Sequence, residues 1–227
     1  MNEQEVLQIL DRVSAVITES HVVYTSGKHG PAYVNKDAVY PHTADTSHLC
    51  RAIAERFADD KVEVVIAPAV GGIPLSQWTA HHLSEICGHE VLSVYAEKET
   101  IAIPDPEGLG RKCFVETGGF VIKRGYDKLI AGKRVLVVED VLTTGASART
   151  VINATRAFGG HVVGLGVLCN RGGVITAHAV ADVPKFIALV NVNLAAYNEA
   201  ECLLCKWGIP INTAVGKGRE FLARKRA

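Results

Sequence analysis

The residues best suited to chemistry lie close together at positions 134–147, where the sequence reads RVLVVEDVLTTGAS. The segment 134–138, apolar after Arg134, predicts a buried strand that delivers two adjacent carboxylates, Glu139 and Asp140, to the edge of a sheet. Such a pair suits sugar hydroxyls, a hydrated Mg²⁺ ion or a developing positive charge. We therefore expect Glu139 and Asp140 to contact a ligand.

The Thr-Thr-Gly-Ala-Ser turn that follows predicts an anion site at the start of a helix. The N–H groups in the first turn of a helix have no intrahelical partner, and Thr143, Thr144 and Ser147 add hydroxyl donors. Glycine at position 145 lets a ligand approach the backbone closely. The turn can therefore hold a phosphate without a positively charged side chain.

A second junction between a strand and a helix contains the consecutive glycines Gly71 and Gly72, followed by Ile73 and Pro74. Consecutive glycines expose backbone N–H groups, and the helix dipole adds about half a positive charge at this end. The same pattern also makes an ordinary turn. Taken alone, this segment is compatible with both a diphosphate site and a simple turn.

The elements that must position these residues alternate between helix and strand. The periodicity predicts helices over residues 3–17, 44–58, 71–87 and 147–158, and strands over residues 62–67, 91–96, 134–138, 162–168 and 186–190. This alternation predicts an α/β protein whose parallel sheet is covered by helices on both faces. Ligands of such sheets bind at the carboxyl ends of the strands.

Two segments fall outside the alternation. Extended runs at 21–25 and 32–35 flank a Ser-Gly-Lys-His-Gly-Pro turn, which predicts a hairpin outside the main sheet. Residues 97–119 show no clear period and exceed the usual length of a connection, as is typical of a lid or binding loop. A disordered surface insertion is the alternative for this second segment.

Composition narrows the class of protein. The 227 residues carry 24 Lys and Arg against 24 Asp and Glu, so the chain lacks the broad positive surface of a dedicated nucleic-acid binder. No apolar run approaches the ~20 residues of a membrane helix, and the acidic, amphipathic start is unlike a signal peptide. Six scattered cysteines are expected to be reduced thiols. We expect a single domain over residues 1–227 in the cytoplasm, with no nucleic-acid or membrane partner.

Segment 134–147 resembles the binding motif for phosphoribosyl pyrophosphate (PRPP) of type I phosphoribosyltransferases. The resemblance implies that family's parallel-sheet fold, with a small N-terminal hood at about 18–42, a mobile loop at about 97–119 and a C-terminal extension at about 176–227. It implies that Glu139 and Asp140 hold the ribose hydroxyls and that the turn holds the 5′-phosphate. The implied PRPP-binding residues are Lys98, Gly71, Gly72, Glu139, Asp140, Val141, Leu142, Thr143, Thr144, Gly145, Ala146 and Ser147.

Three further features are similar to orotate phosphoribosyltransferases: the hood motif Ser26-Gly27-Lys28, the Pro-Ala-x-x-Gly-Ile-Pro pattern over 68–74, and Arg171 after strand 162–168. An arginine fork matches a carboxylate, such as that of orotate, in a bidentate manner. The resemblance implies a base site of Arg171, Thr143 and Lys28. It also implies that PRPP and orotate give orotidine 5′-phosphate and pyrophosphate, in pyrimidine nucleotide synthesis.

The chain departs from the family pattern at several basic positions. Gly71 and Thr25 stand where many orotate enzymes have lysines, and the mobile loop keeps Lys98 but not the usual second lysine. We therefore take Lys98, Asp140 and Lys112 as the catalytic candidates. The resemblance also implies Mg²⁺ on the PRPP, held indirectly by Glu139 and Asp140 through water or PRPP, and a homodimer.

Two other functions are compatible with these motifs. The acceptor could be another base, in which case Arg171 is dispensable. The protein could also be a non-catalytic PRPP or nucleotide sensor. The absence of lysine at position 71 and the altered loop support this hypothesis.

The Cys202-Leu-Leu-Cys205 segment has the spacing of half a zinc site. Cys113, Cys169 or a histidine could complete such a site through folding. A buried pair of free thiols on a helix is the interpretation that the spacing favours.

Overall fold

A six-stranded, mostly parallel sheet forms the centre of the protein in the computed structural model, which describes residues 1–104, 112–171 and 175–226. The strand order is β10-β9-β8-β5-β6-β7, and each neighbouring pair is parallel except β6 and β7. In chain order the strands are β1 (Val16–Ile17), β2 (Val22–Val23), β3 (His29–Gly30), β4 (Tyr33–Val34), β5 (Val64–Pro68), β6 (Leu92–Pro104), β7 (Lys112–Val121), β8 (Arg134–Leu142), β9 (His161–Asn170) and β10 (Phe186–Asn191).

Helices cover both faces of this sheet and divide the core into two clusters. The helices are α1 (Glu3–Arg12), α2 (Thr43–Arg56), α3 (Gly72–Cys87), α4 (Tyr126–Ile130), α5 (Ala146–Ala157), α6 (Leu203–Lys206) and α7 (Gly218–Arg226). Along β5, Val65 packs with α2 and α3 on one face, whereas Ile66 packs with α5 on the other. Strands buried on both faces read as continuous apolar runs. The predicted α/β class is confirmed.

The first helix is shorter than predicted. Asn2 begins α1 through a capping box with Glu5, but α1 ends at Arg12, and the segment Val16–Ile17 pairs with β4 instead of continuing the helix. Ser14 has a φ of 54°, in the left-handed region that interrupts a helix. The β-branched residues that follow favour a strand.

The predicted hairpin between 21–25 and 32–35 is wrong in its pairing. β2 pairs with β3, and β4 pairs with β1. A tight turn explains the difference, because the Tyr24 N–H donates to the Lys28 carbonyl at 2.8 Å and Gly27 has a φ of 78°. Glycine adopts this left-handed conformation without steric cost.

Most of the predicted irregular loop at 97–119 is a long antiparallel hairpin. Register pairs run from Glu97 opposite Val121 to Pro104 opposite Lys112, with an irregularity between Lys98 and Thr100. Residues 105–111 of the predicted loop lie outside the described residues. Both faces of this hairpin are largely exposed, so its strands need no alternation of apolar and polar residues.

The C-terminal extension has two parts. Its strand β10 belongs to the central sheet, whereas the segment after Asn191 packs on the hood. The Asn212 N–H donates to the His21 carbonyl, and the Lys217 N–H donates to the Val23 carbonyl, both at 2.8 Å. Among the described residues, the helices are all too short or too polar to cross a membrane.

Candidate active site

Glu139 and Asp140 lie inside β8, because this strand continues to Leu142 rather than ending at 138. Their exposed fractions are 7% and 6%. The Asp140 N–H donates to Glu139 Oε1 at 3.2 Å, and the Val141 N–H donates to Asp140 Oδ1 at 2.6 Å. The local backbone therefore fixes the orientation of both carboxylates.

Burial raises the pKa of Glu139 well above its usual range, and the neighbouring Asp140 carboxylate raises it further. Two adjacent buried carboxylates repel one another unless a ligand compensates their charge. Hydroxyl donors or a hydrated divalent cation supply that compensation, and carboxylate oxygens are ligands that Mg²⁺ prefers. The pair therefore fits the predicted sugar and magnesium contacts.

Asp140 has two further partners that the sequence analysis missed. Lys36 Nζ lies 2.8 Å from Asp140 Oδ2, and the Tyr40 hydroxyl donates to the same oxygen at 3.1 Å. Burial acts to lower the pKa of Lys36, but its contacts with Asp140 and Asp37 together outweigh burial and raise this pKa. Lys36 therefore carries a positive charge beside Asp140. The adjacent charges Lys36-Asp37 after the hood strand were the available sequence signal.

Gly71 makes room for this ion pair. A Cβ atom at position 71 would collide with the Asp140 carboxylate and with Lys36 Nζ. The Lys36 ammonium thus occupies space that a side chain at position 71 would need.

A cavity of about 470 Å³ adjoins Gly71 and both carboxylates. Lys98 of β6 also lines it, and its Nζ lies 2.8 Å from Glu116 Oε2 of β7. The full lining consists of Lys36, Asp37, Tyr40, Pro68, Ala69, Val70, Gly71, Gly72, Pro74, Lys98, Phe120, Glu139, Asp140 and Ser147. Two lysines and two glycines thus face the same space as the acid pair.

The hydroxyl-rich turn forms a smaller cavity of about 100 Å³ at the start of α5. Gly145 has a φ of 74°, and a side chain there would also collide with Val180. The lining residues are Glu139, Val141, Leu142, Thr143, Thr144, Gly145, Ala146 and Ser147. The structure brings these predicted phosphate contacts together around one small concave site.

A third cavity, of about 250 Å³, lies between β8, β9 and the hood. The Arg171 guanidinium stacks 3.9 Å from the ring centroid of Tyr24. The backbone N–H of Arg171 donates to the Leu142 carbonyl at 2.9 Å. The lining residues are Thr25, Tyr33, Val34, Lys36, Asp140, Val141, Thr143, Arg171, Gly216 and Lys217. Lys36 and Asp140 line both this cavity and the one of about 470 Å³, so the two cavities adjoin at the ion pair.

Two predicted site residues are placed elsewhere. Lys28 is exposed in the turn between β2 and β3, and Lys112 is exposed at the far end of β7, opposite Pro104. Neither lines these cavities in the described part of the chain. Among the hood residues, Thr25 and Tyr33 line the third cavity.

The C-terminal extension adds two residues that the sequence analysis missed, Gly216 and Lys217. Gly216 has a φ of 68°, and a Cβ there would collide with the Val23 carbonyl. Only glycine fits this close approach without strain. A Gly-Lys pair without a recognisable motif gave no signal for this contact.

Comparison with known proteins decides the family. Residues 35–179 match the phosphoribosyl transferase domain. Proteins named orotate phosphoribosyltransferase are similar over nearly their whole length: one from Caldanaerobacter subterraneus subsp. tengcongensis is 31% identical, covering 93% of this chain and 96% of that protein. One from Pelotomaculum thermopropionicum is 35% identical, covering 92% and 95%. The chain belongs to the orotate phosphoribosyltransferase family.

Solved structures show the same fold. The orotate phosphoribosyltransferase of Mycobacterium tuberculosis H37Rv, in complex with Fe(III) dicitrate, has a TM-score of 0.61 and 21% identity, covering 84% of this chain and 96% of that one. The enzyme from Aeropyrum pernix has a TM-score of 0.58 and 23% identity, covering 89% and 98%. In this phosphoribosyltransferase the three cavities adjoin around Glu139 and Asp140.

Proposed function

We propose that the protein transfers the phosphoribosyl group of PRPP to orotate, giving orotidine 5′-phosphate and diphosphate. The observation that carries this proposal is the meeting of three cavities at the Glu139–Asp140 pair. One cavity suits a phosphate, one suits a diphosphate, and one offers an arginine to a carboxylate-bearing base. The names of the relatives support the same reaction.

The small cavity at the start of α5 holds the 5′-phosphate in this proposal. The exposed side chains of Thr143, Thr144 and Ser147 donate hydroxyl groups, and the first N–H groups of α5 add backbone donors. A phosphate anchored here places the ribose over the carboxyl end of β8.

Glu139 and Asp140 then accept hydrogen bonds from the ribose hydroxyls. Negative charge on this pair also stabilises the positive charge that develops on the sugar as the bond from C1 to the diphosphate oxygen lengthens. Lys36 orients Asp140, because its ammonium lies 2.8 Å from Oδ2. The acid pair thus acts on the reacting sugar without forming a bond to it.

The cavity of about 470 Å³ receives the diphosphate. Gly71 and Gly72 allow close backbone approach at the start of α3, and Lys36 and Lys98 supply positive charge. Lys98 must leave Glu116 to reach the leaving group. When bound to PRPP and held through water by Glu139 and Asp140, Mg²⁺ would supply further neutralisation of the diphosphate.

Orotate occupies the third cavity with its carboxylate on Arg171. The guanidinium is held in place by Tyr24, and Thr143 and Lys217 lie in the same lining. Orotate N1 reacts as an anion: its electron pair forms the bond to C1 while the diphosphate leaves with the electrons of the C1–O bond. No strong general base is required, so positioning and electrostatics carry the catalysis.

The β6–β7 hairpin supports two further parts of the proposal, water exclusion and a homodimer. Lys98 lies on this hairpin beside the diphosphate cavity, so its movement can close the site against water that would hydrolyse PRPP. Ile101, Phe114 and Val115 are exposed on its arms, Phe114 by 72%. Exposed apolar patches of this kind are typical of contact surfaces, and a second copy of the chain is the partner that we propose.

We also place the reaction in the cytoplasm. The six cysteines all lie within the described residues and form no disulfide there, which agrees with a reducing compartment.

Replacing Arg171 tests the acceptor. We expect Arg171→Ala to lower kcat/KM for orotate by about 10- to 100-fold, the ~1.5–3 kcal/mol of a hydrogen bond to a charged group. The KM for PRPP should change little, and the preference for orotate over uracil, which lacks the carboxylate, should shrink.

Arg149→Ala is the matched control, because Arg149 is exposed on α5 and lines none of the three cavities. Steady-state kinetics with each substrate varied in turn measure these effects. Unchanged turnover of orotate by Arg171→Ala would refute the assignment of orotate to this cavity.

A further inference from the structure

A second group of potential metal ligands lies outside the three cavities, where the hood meets the C-terminal extension. Its members are His21, His29, Cys202 and Cys205, and their ligand atoms all lie within 4.8 Å of one another. We infer that these four side chains hold a structural zinc ion, which binds the hood to the extension.

The fold itself brings the four residues together. His29 lies in β3 and exchanges two backbone hydrogen bonds with Tyr197 of the extension, each of 2.8 Å. Cys202 and Cys205 are three positions apart at the start of α6, so both thiols face one side of that short helix. The two histidines from the hood are what favours a zinc site over the simple thiol pair that the spacing alone predicts.

Four of the six distances between ligand atoms are close to those of tetrahedral coordination, and all six are within 4.8 Å. Zinc bonds of about 2.0–2.1 Å to nitrogen and about 2.3 Å to sulfur place neighbouring ligands roughly 3.3–3.8 Å apart. His21 Nε2 lies 3.7 Å from Cys202 Sγ and 3.6 Å from Cys205 Sγ, and Cys205 Sγ lies 3.3 Å from His29 Nδ1. The two histidine nitrogens are 2.9 Å apart, so they need to separate by only a few tenths of an ångström.

The tautomer of His21 favours a metal over a set of hydrogen bonds. Its Nδ1 lies 2.7 Å from the Ile209 carbonyl, which can only accept, so Nδ1 carries the proton. The neutral ring then presents a single lone pair at Nε2, yet His29 Nδ1 and both thiols approach that atom. One lone pair cannot accept three hydrogen bonds, whereas a cation at the centre satisfies all four ligand atoms. Metal-bound histidines commonly donate their other N–H to a carbonyl in this way.

Charge and burial fit a closed structural site. His21, His29 and Cys202 are buried and Cys205 is half-buried. When Zn²⁺ binds, the two thiols lose their protons to solvent and become thiolates, so two thiolates, two neutral imidazoles and the ion have no net charge. Four protein ligands leave no open position for a substrate, and a set of two sulfurs and two nitrogens selects zinc among common divalent ions.

The position of the site gives the ion a role in shaping the base cavity. The segment from Cys205 to Lys217 runs from the proposed metal to the third cavity, where Gly216 and Lys217 form part of the wall. It contacts the hood through the Ile209 carbonyl on His21 and the Asn212 N–H on the His21 backbone. The ion would hold this wall in place without touching the substrate.

Metal analysis of the intact protein tests the inference. The protein is produced without an affinity tag in zinc-supplemented medium, purified under reducing conditions without chelators, and analysed by mass spectrometry of its metal content. We expect about one zinc per chain in the wild type and in Cys113→Ser, a control whose cysteine lies on β7. The Cys202→Ser/Cys205→Ser double variant and His21→Asn should lose the metal.

A second measurement avoids dependence on the folding of these variants. Zinc is removed from the wild type with a chelator, and Co²⁺ is added while the absorption spectrum is recorded. We expect thiolate-to-cobalt charge-transfer bands, together with the strong visible bands of tetrahedral Co²⁺, and protection of two thiols from alkylation. Zinc-free wild-type protein that binds no Co²⁺, or a Co²⁺ spectrum without thiolate bands, would overturn the inference.

Discussion

At the scale of single residues, the site depends on a lysine that no local motif identifies. Glu139, Asp140 and the turn after them were recognisable because strand, acid pair, glycine and hydroxyls are consecutive in the sequence. Lys36 reaches Asp140 from the hood, far away along the chain. Only tertiary structure brings them together, which is why the sequence analysis did not identify Lys36.

Replacement of Lys36 should separate its role from that of general surface charge. We expect Lys36→Gln to lower kcat/KM for PRPP by about 10- to 100-fold, because a charge-assisted contact worth ~1.5–3 kcal/mol is lost. Lys28→Gln is the matched control, since Lys28 belongs to the same hood but lies outside the cavities. Initial rates at varied PRPP concentration measure both effects.

Gly71 provides a second control through a double-mutant cycle with Lys36. Gly71→Ala places a methyl group where Lys36 Nζ and the Asp140 carboxylate lie, so it should impair the wild type. The same substitution should cost less activity in the Lys36→Gln background. Additive losses, or equal losses for Lys36→Gln and Lys28→Gln, would contradict the proposed ion pair.

The buried carboxylate should also make stability depend on pH. The native state favours protonated Glu139, since burial and Asp140 raise its pKa, whereas the unfolded state ionises it in the ordinary carboxyl range. In the absence of ligands, the free energy of unfolding should therefore fall as pH rises from that range through the raised pKa. Urea unfolding of the wild type and Glu139→Gln over a pH series measures this, and the variant should lose less stability as pH rises. An identical slope in both proteins would contradict the assignment.

At the scale of elements, the sequence predicted the strands that are buried on one or both faces. It did not predict the strands whose faces are exposed to solvent. The strands β5, β8 and β9 are recognisable in the sequence as apolar runs. The β6–β7 hairpin projects beyond the core, so solvent on both faces removes the alternation that identifies a strand. In the hood, short strands of two residues carry too little pattern to define which of them pair.

The prediction of a dimer rests on the exposed apolar side chains of the β6–β7 hairpin. We expect Phe114→Asp to yield a monomer at concentrations where the wild type is dimeric, because a charge replaces a side chain that we propose is buried against a second copy. Phe158→Asp, at an exposed phenylalanine after α5, is the control and should leave the dimer intact. Light scattering coupled to size-exclusion chromatography gives the mass. A monomeric wild type would refute the dimer, and a dimeric Phe114→Asp would refute this contact surface.

At the scale of the whole molecule, alternation of helices and strands predicted the sheet and its covered faces, but not how the chain ends. The segment after Asn191 folds back on the hood and completes the third cavity with Gly216 and Lys217. These contacts depend on backbone hydrogen bonds and close approach, which leave no periodic pattern in the sequence. The zero net charge agrees with the site, because much of the proposed phosphate binding comes from N–H and hydroxyl groups.

The most direct measurement of the proposed function is turnover of PRPP with a panel of bases. The purified protein is incubated with PRPP, Mg²⁺ and, in separate reactions, orotate, uracil, adenine, guanine, hypoxanthine or xanthine, while diphosphate and nucleotide are quantified. We predict equal amounts of diphosphate and orotidine 5′-phosphate with orotate, and far slower reaction with the other bases. Turnover of another base while orotate is inert, or binding of PRPP with no diphosphate release for any base, would contradict the account.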